Sequence, residues 1–497
     1  MYRLILICFF VGIQATVLAK SLEFTPAIEN AFKSAQQLNT SEAKKWIGAD
    51  QRTNPANQMY VVIESYLDFF KAFAGEDAEA ARMIQQHKSH RIQKINDTPD
   101  SNPLKKWALA TIYLHSAASR SKFGDAYSAA LELRKAYFLL NENEIKYPSF
   151  VPNKVSLGFL TALLGGIPPQ YQWVLKLASM DGDVIAGTNL LYSVVLDQDE
   201  SVFNKLFRTE ALFFLTFIEA NLNPDKSIAE KLLIYFTKDD EQSPLMMYAK
   251  ANLEMRTGKN DDALKTLHLA IDHQTDEPLF YLHYIRAEAM LRKLDFSAQK
   301  EYDFFLIHFK GTNYKLDARR KLAWIDLLKG DSLSYLRQMK QLHTFQSGQV
   351  ESDKQALREA SLLRAPDSTL LKARLLFDGG YFARAEAVLS QAGKHFILLK
   401  EPEKLEYYYR MGRIKHAVRD FSEALRYYQL CIAKGRDRPE YYAANAALFS
   451  GEIYLLRSDS NEAKKMFELC LALKPEEYSS GIHAKARAGL TRIRNVK

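Results

Sequence analysis

Asp420-Phe421-Ser422-Glu423-Ala424-Leu425-Arg426-Tyr427-Tyr428, with Tyr408, Met411 and Gly412 just ahead of it, decides the fold. Tyr408 is followed four residues later by the small Gly412, Ala424 lies twelve beyond, and Tyr428 four beyond that. The frame returns in Gly451, Tyr454, Ala463, Phe467 and Pro475, with the two glycines 39 residues apart. Two helices joined by a short turn give this spacing a physical meaning. Gly412 and Gly451 lie on first helices and Ala424 and Ala463 on second ones, where small side chains let the two backbones approach. Tyr428 and Phe467 then fill the gap against the next hairpin, and Pro475 ends a second helix because it has no N–H with which to extend one. Cys431 and Cys470 follow the wedges by three residues. Equivalent sites on stacked helices lie about 8–10 Å apart, beyond disulfide reach, so both read as buried thiols.

Working outward, Ala373, Leu376, Gly380, Ala385 and Leu389 keep the frame, as do Ala251, Gly258, Ala263, Leu267 and Ala270. Tyr284, Ala287, Phe296 and Tyr302 follow it with a one-residue slip, Leu316 to Leu328 with Gly330 marks another first helix and its turn, and Trp107, Tyr113, Gly124, Ala130 and Tyr137 mark a further pair. No stretch alternates with period two between turn signals, so no strands are expected. The fold class read from this is all-α, an α-solenoid of helical hairpins. Composition agrees: 21 Gly and 15 Pro in 497 residues leave room for long helices, 47% hydrophobic residues suffice for a continuous core, and 3 Cys exclude a disulfide scaffold.

About residues 244–476 resemble a tetratricopeptide-repeat protein of the secreted bacterial type. The resemblance implies a right-handed superhelix whose first helices line a concave groove. A second stretch within 147–190, Tyr147-Pro148-Ser149-Phe150-Val151-Pro152-Asn153 with Gly158, Gly165-Gly166-Ile167-Pro168-Pro169, Trp173, Gly182 and Gly187, is similar to the tetratricopeptide-repeat domain 39 and inclusion-clearance families. The predicted organisation is a signal peptide over 1–19, a degenerate helical-repeat domain over 20–240, a tetratricopeptide domain over 241–476 and a basic capping helix over 477–497.

The signal peptide rests on Arg3, the apolar run Leu4 to Val11 and Val17-Leu18-Ala19. Leu4 to Ala19 is shorter than the roughly 20 residues of a membrane span and is interrupted by Gly12 and Gln14, so cleavage near Lys20 and export to the periplasm or cell envelope, without stable membrane insertion, are expected. The net charge of +8 has one concentrated expression. From Tyr478 to Lys497 there is no acid, while Lys485, Arg487, Arg492, Arg494 and Lys497 are all cationic. The polar outer face of a terminal repeat accounts for this better than an anionic partner does. Nucleic acid is not expected, because the remaining charges alternate in sign.

Motifs for chemistry fail on their informative residues. Gly182 and Gly187-Thr188 have the glycine spacing of a phosphate-binding loop, but Thr188 stands where the lysine is required. His87 and His90 are three apart among cations, and His268 and His273 are five apart on different faces, so neither pair suits zinc. Gly165 to Pro169 reads as a stop and restart in a buried hairpin rather than a membrane-touching elbow. No enzyme, metal or cofactor is expected.

What remains is the groove that the resemblance implies. Carried over residue by residue, its lining is Tyr248, Asn252 and Arg256 in one repeat, Leu370, Arg374 and Phe377 in another, then Tyr409, Arg413 and His416, then Leu448, Glu452 and Leu455. Tyr and Arg are the residue types that concentrate binding energy. Tyr409 and Arg413 replace the Lys and Asn of the carboxylate-clamp version, so a chaperone-tail receptor is not implied. The expected function is a non-enzymatic scaffold that binds a peptide or protein. The alternative is an envelope protein that binds glycan or a membrane surface through groove aromatics and the basic terminal helix.

Overall fold

The computed structural model describes residues 19–167, 175–176, 178–222, 226–273, 275–393 and 396–495. The predicted signal peptide therefore lies outside the described residues except for Ala19, as do Pro168, Pro169 and Trp173 of the predicted buried hairpin. The described chain is all-α: helices follow one another throughout, and the single β-bridge joins Ser21 to Asn57. It forms two compact units, one of residues up to 224 with 237–246 and 273–279, the other of 225–236, 247–272 and 280 onward.

In the first unit the helices are α1 (Pro26–Gln36), α2 (Thr40–Thr53), α3 (Tyr60–Gly75), α4 (Ala78–Asn96), α5 (Pro103–Lys122), α6 (Ala126–Lys146), α7 (Val151–Gly165), α8 (Val184–Val195) and α9 (Val202–Asn221). The predicted pair around Trp107 is the α5–α6 hairpin, turned at Gly124 with φ +91°. Trp107 is fully buried, edge-on to Phe207 at 5.4 Å, and donates its indole N–H to Ser156 Oγ at 3.2 Å. The glycines that resembled a phosphate loop serve backbone contact instead. A Cβ on Gly187 would stand 2.4 Å from Gly158 O, and one on Gly182 2.2 Å from Gly165 N, so α7 and α8 meet backbone to backbone only because these residues lack side chains. Thr188 donates its hydroxyl to Val184 O within its own helix at 2.9 Å.

In the second unit the helices are α10 (Lys226–Leu232), then, after Pro244–Arg256 (α11) begins, α12 (Asn260–Asp272), α13 (Tyr281–Arg292), α14 (Ala298–His308), α15 (Lys315–Leu328), α16 (Ser332–Gln341), α17 (Glu351–Ser361), α18 (Ser368–Asp378), α19 (Phe382–Gly393), α20 (Glu401–Ala417), α21 (Phe421–Gly435), α22 (Tyr442–Leu456), α23 (Ser460–Ala472) and α24 (Ser479–Asn495). One local device turns three of the hairpins. A residue with positive φ (Gly330, Arg419, Ser458) precedes an Asp (Asp331, Asp420, Asp459), whose N–H bonds back to the carbonyl five residues earlier at 2.9 Å. The same Asp accepts with its side chain from the N–H three residues on, capping the second helix (2.8 Å for Asp331, 3.4 Å for Asp420, 3.1 Å for Asp459). The first bond closes a Schellman-type C-terminus and the second satisfies an orphan N–H, so one three-residue turn ends one helix and starts the next.

Packing then follows from the small residues. A Cβ on Gly412 would lie 2.5 Å from the Tyr428 ring and one on Gly451 2.6 Å from Phe467. Ala424, Tyr428, Ala463 and Phe467 are fully buried, Pro475 is buried, and Tyr408 and Tyr454 are half-buried against the same clusters. Tyr428 stacks toward Phe449 of the next hairpin at 6.2 Å. Phe467 is also closed from its other side by Gly489 of α24, where a Cβ would stand 2.5 Å from the ring. Cys431 and Cys470 are buried free thiols, and burial pushes the Cys470 thiol up to about 12.

Asp353 of α17 lies against the start of α15 and accepts the N–H groups of Tyr314 (2.8 Å) and Asp317 (2.9 Å), a helix N-terminus capped by a side chain from a distant element. Burial pushes its carboxyl up to about 6, against those backbone N–H groups, and the charge of Asp317 adds to the rise. The folded value stands above the ordinary one of about 3.9. Its contribution is therefore fully present below about pH 4 and is lost as pH rises through about 6. Against Asp353→Asn, wild-type stability in denaturant titrations is expected to fall between pH 4 and pH 7, and a difference constant with pH refutes this assignment.

Candidate partner-binding face

First helices of the second unit bring every residue of the predicted groove into one unit, but in unequal states of exposure. Leu370 and Leu448 are buried in the hairpin cores and present nothing to solvent. Tyr409 is also buried, its ring against Tyr442 at 5.4 Å and Tyr441 at 6.0 Å. Its hydroxyl accepts from Arg413 Nη1 at 2.9 Å, one turn further along α20.

Arg413 is half-buried and is held by aromatic faces: its guanidinium carbon lies 4.2 Å from the centre of the Phe449 ring and 4.9 Å from that of Phe377. Phe377, Arg413 and Phe449 come from α18, α20 and α22, so a single arginine ties three first helices together. Arg374 repeats the arrangement one hairpin earlier, 5.4 Å over Trp324 of α15, and its nearest carboxylate, Asp378, is 3.8 Å away. Trp324 is also approached by Lys321 at 4.3 Å and Arg320 at 4.9 Å, and it donates its N–H to Glu359 at 2.7 Å. Stacking of cations on indole and phenyl faces fixes long side chains that would otherwise be mobile, and so lowers the entropy lost when they bind.

His416, the next predicted lining residue, has its Nδ1 3.3 Å from the buried Tyr428 hydroxyl. Burial pushes its pKa down to about 4, with the charge of Arg413 adding to the fall, which keeps it a neutral packing group at pH 7. Glu452 on α22 is half-buried. Burial raises its pKa while Arg492, Lys485 and Arg413 oppose the rise.

At the other end Tyr248 joins Tyr281 (5.9 Å), which in turn meets Tyr314 at 4.7 Å and Tyr284 at 5.4 Å. Burial pushes the Tyr248 hydroxyl up to about 12. Asn252 donates back to the Tyr248 carbonyl at 2.8 Å, and Arg256 is exposed. Sequence reading missed Trp324, Tyr281, Tyr314 and the pair of half-buried Glu406 with buried Arg410. Trp324 follows Ala323 as Arg374 follows Ala373 and Arg413 follows Gly412, and that offset was the available signal.

Elsewhere, His87 and His90 line a cleft of about 440 Å³ in the first unit, where His87 Nδ1 and Arg91 Nη2 share Asp68 Oδ2 at 3.1 and 2.7 Å. Ser65 Oγ lies 2.9 Å from His115 Nδ1, but both are buried and His115 is stacked on Phe69 at 4.5 Å, which makes the pair part of the core. Among the described residues no three His, Cys, Asp or Glu side chains are placed to hold a metal ion, and no helix is long and apolar enough to cross a membrane.

No protein-family model matches the chain, and no curated protein matches it. Among solved structures the chain is similar to the TPR domain of P58(IPK), with 14% identity, 85% of this chain and 97% of that one covered, and a TM-score of 0.23. It is similar to yeast Tom70, with 12% identity, coverage of 94% and 88% and a TM-score of 0.32. A third similar structure is a monomeric mutant of IFIT1 with Gppp-AAAA, with 13% identity, coverage of 90% and 96% and a TM-score of 0.30. TM-scores of this size leave the hairpin fold to stand on the turns and contacts described above.

Proposed function

We propose that the first-helix face of the second unit is a groove for a polypeptide partner, and that the chain is a non-enzymatic interaction scaffold exported to the periplasm or cell envelope. The observation that carries this reading is Arg413. It is held by Tyr409, Phe377 and Phe449, and no carboxylate lies within ion-pair distance of it among the described residues. Arginine and tyrosine fixed in a partly desolvated setting are the usual anchors of binding energy. Among the predicted site residues Arg374 and Arg413 enter this reading as anchors and Tyr409 as the group that holds Arg413, while His416 and Glu452 lie on α20 and α22 and Tyr248, Asn252 and Arg256 on α11.

The test is a photo-reactive amino acid in place of Arg374, whose side chain is 39% exposed, and as a control in place of Lys464 on a second helix, 60% exposed. Ultraviolet irradiation of envelope fractions is expected to give a discrete polypeptide adduct from the first position and not from the second. Equal adducts from both, or none, remove the groove reading. N-terminal sequencing of the same protein is expected to begin near Lys20.

A further inference from the structure

The cleft of about 440 Å³ in the first unit holds charged groups that the groove does not use. Its walls are α2, α3, α4 and the segment 273–279 of the same unit, and buried Leu67 gives it an apolar patch. Glu64 and Asp68 lie one turn apart on α3, and His87 and Arg91 one turn apart on α4. In this hairpin the contact of Asp68 with His87 sets Glu64 opposite Arg91, yet the Arg91 guanidinium turns to Asp68, at 2.7 Å. Lys71 is likewise paired with Glu277, at 3.8 Å, and Asp276 ties that segment down by accepting the Ser41 N–H at 2.6 Å. With histidine counted as neutral, these two pairs cancel. One charge of each sign is left over, because Glu64 and Lys44 line the cleft with neither a hydrogen bond nor an ion pair among the described residues.

Arg91 is 4% exposed, and only its Nη2 is engaged. None of its nitrogens is among the buried groups left without a partner, so its other donors open into the cleft that it lines. Glu64 is half-buried. Burial raises its pKa, with Arg91 the largest opposing influence, and an ammonium bound beside it would offset the cost of keeping it charged.

We infer that this cleft binds a small zwitterion, a free amino acid or a dipeptide, with its ammonium on Glu64 and its carboxylate on Lys44 and the open donors of Arg91. The site lies in the first unit, and the inference goes beyond the groove reading without resting on it. The leftover charges decide the class of ligand. An anion would meet the uncompensated Glu64, and a cation would meet Lys44 and Arg91, whereas a ligand with both groups satisfies each wall. Charge-assisted bonds to partly buried groups are the strong ones, and Asp68 already holds the Arg91 side chain, so little ordering is needed on binding. The volume falls within the roughly 300–1,000 Å³ of small-molecule sites.

The full chain is melted with each of the common L-amino acids, and with each glycyl dipeptide, at millimolar concentration. The compound that raises the melting temperature most is then titrated by calorimetry, together with its N-acetyl form and its C-terminal amide. Each blocked form is expected to bind roughly tenfold more weakly than the parent. Glu64→Gln is expected to weaken the parent by a similar factor and to leave the N-acetyl form unchanged, while Lys44→Gln weakens the parent and leaves the amide unchanged. A damaged fold does not produce this paired selectivity, and circular dichroism checks each variant. The best compound being a dipeptide or an amino acid supports the inference either way and names the source. An N-acetyl form that binds as tightly as the parent makes the cleft an anion site and overturns the inference, as does an equally tight amide, which makes it an amine site. Stabilisation by none of the amino acids or dipeptides also overturns it. None of these results alters the adduct expected at position 374, so the groove reading stands or falls separately.

Discussion

Replacing Asp317 by Ala is expected to lower the stability of the second unit by about 3–5 kcal/mol, the usual cost of leaving a buried charge without its partner. Asp317 is 1% exposed and forms an ion pair with Arg320, itself 4% exposed. It also accepts the Tyr284 hydroxyl at 2.6 Å. Burial raises the carboxyl of Asp317, but Lys321, Arg320 and the Tyr284 hydrogen bond together overcome it and hold the group below the ordinary carboxylate range. Without Asp317 the guanidinium keeps only Glu359, at 3.4 Å, and its Nε already lacks a partner. The double substitution Asp317→Leu with Arg320→Met removes both charges and is expected to recover most of the loss. Denaturant titration of the three proteins checks this, and a single variant within about 1 kcal/mol of wild type would show that the pair is not buried as described.

The second large effect is expected at Gly380. It has φ +81° and its backbone meets that of Gly258, itself at φ +80°: a Cβ added to Gly380 would stand 2.2 Å from Gly258 O and 2.8 Å from Gly258 Cα. The neighbouring Tyr381 hydroxyl binds Asn260 at 3.1 Å and Asp261 at 2.9 Å, so the two turns are clamped together and have little freedom to part. Gly380→Ala therefore combines the left-handed backbone penalty of about 1–2 kcal/mol with an overpacking cost of similar size, about 3 kcal/mol together. Gly330→Ala is the matched control. Its φ is +98°, but nothing lies within 4 Å of the added carbon, so only the backbone penalty applies. Equal loss of melting temperature in the two variants would show that the contact between the turns contributes nothing.

Much of the fold was legible because it is local. The interval from Gly412 to Ala424, repeated from Gly451 to Ala463, reports which faces of two adjacent helices touch, and the Asp caps and positive-φ turns at Asp331, Asp420 and Asp459 complete their hairpins within a few residues. Gly489 continues the glycine series one residue short, 38 residues after Gly451 where Gly451 is 39 after Gly412. The groove was legible only as a set of positions. The frame places Tyr409 and Arg413 on one face, but not that Tyr409 is covered by Tyr441 and Tyr442 while Arg413 stays partly open.

The sequence by itself determined the all-α class, the register of its hairpins and the residues that wedge them, since a helix period and a small-residue rule act over about forty residues. Tertiary structure alone decided two things: that Gly158, Gly165, Gly182 and Gly187 serve backbone contact rather than a phosphate, and that Asp353 caps a helix 36 residues away. Each depends on distances between elements far apart in the chain. No periodicity records such distances, because they are set by the sum of every crossing angle in between.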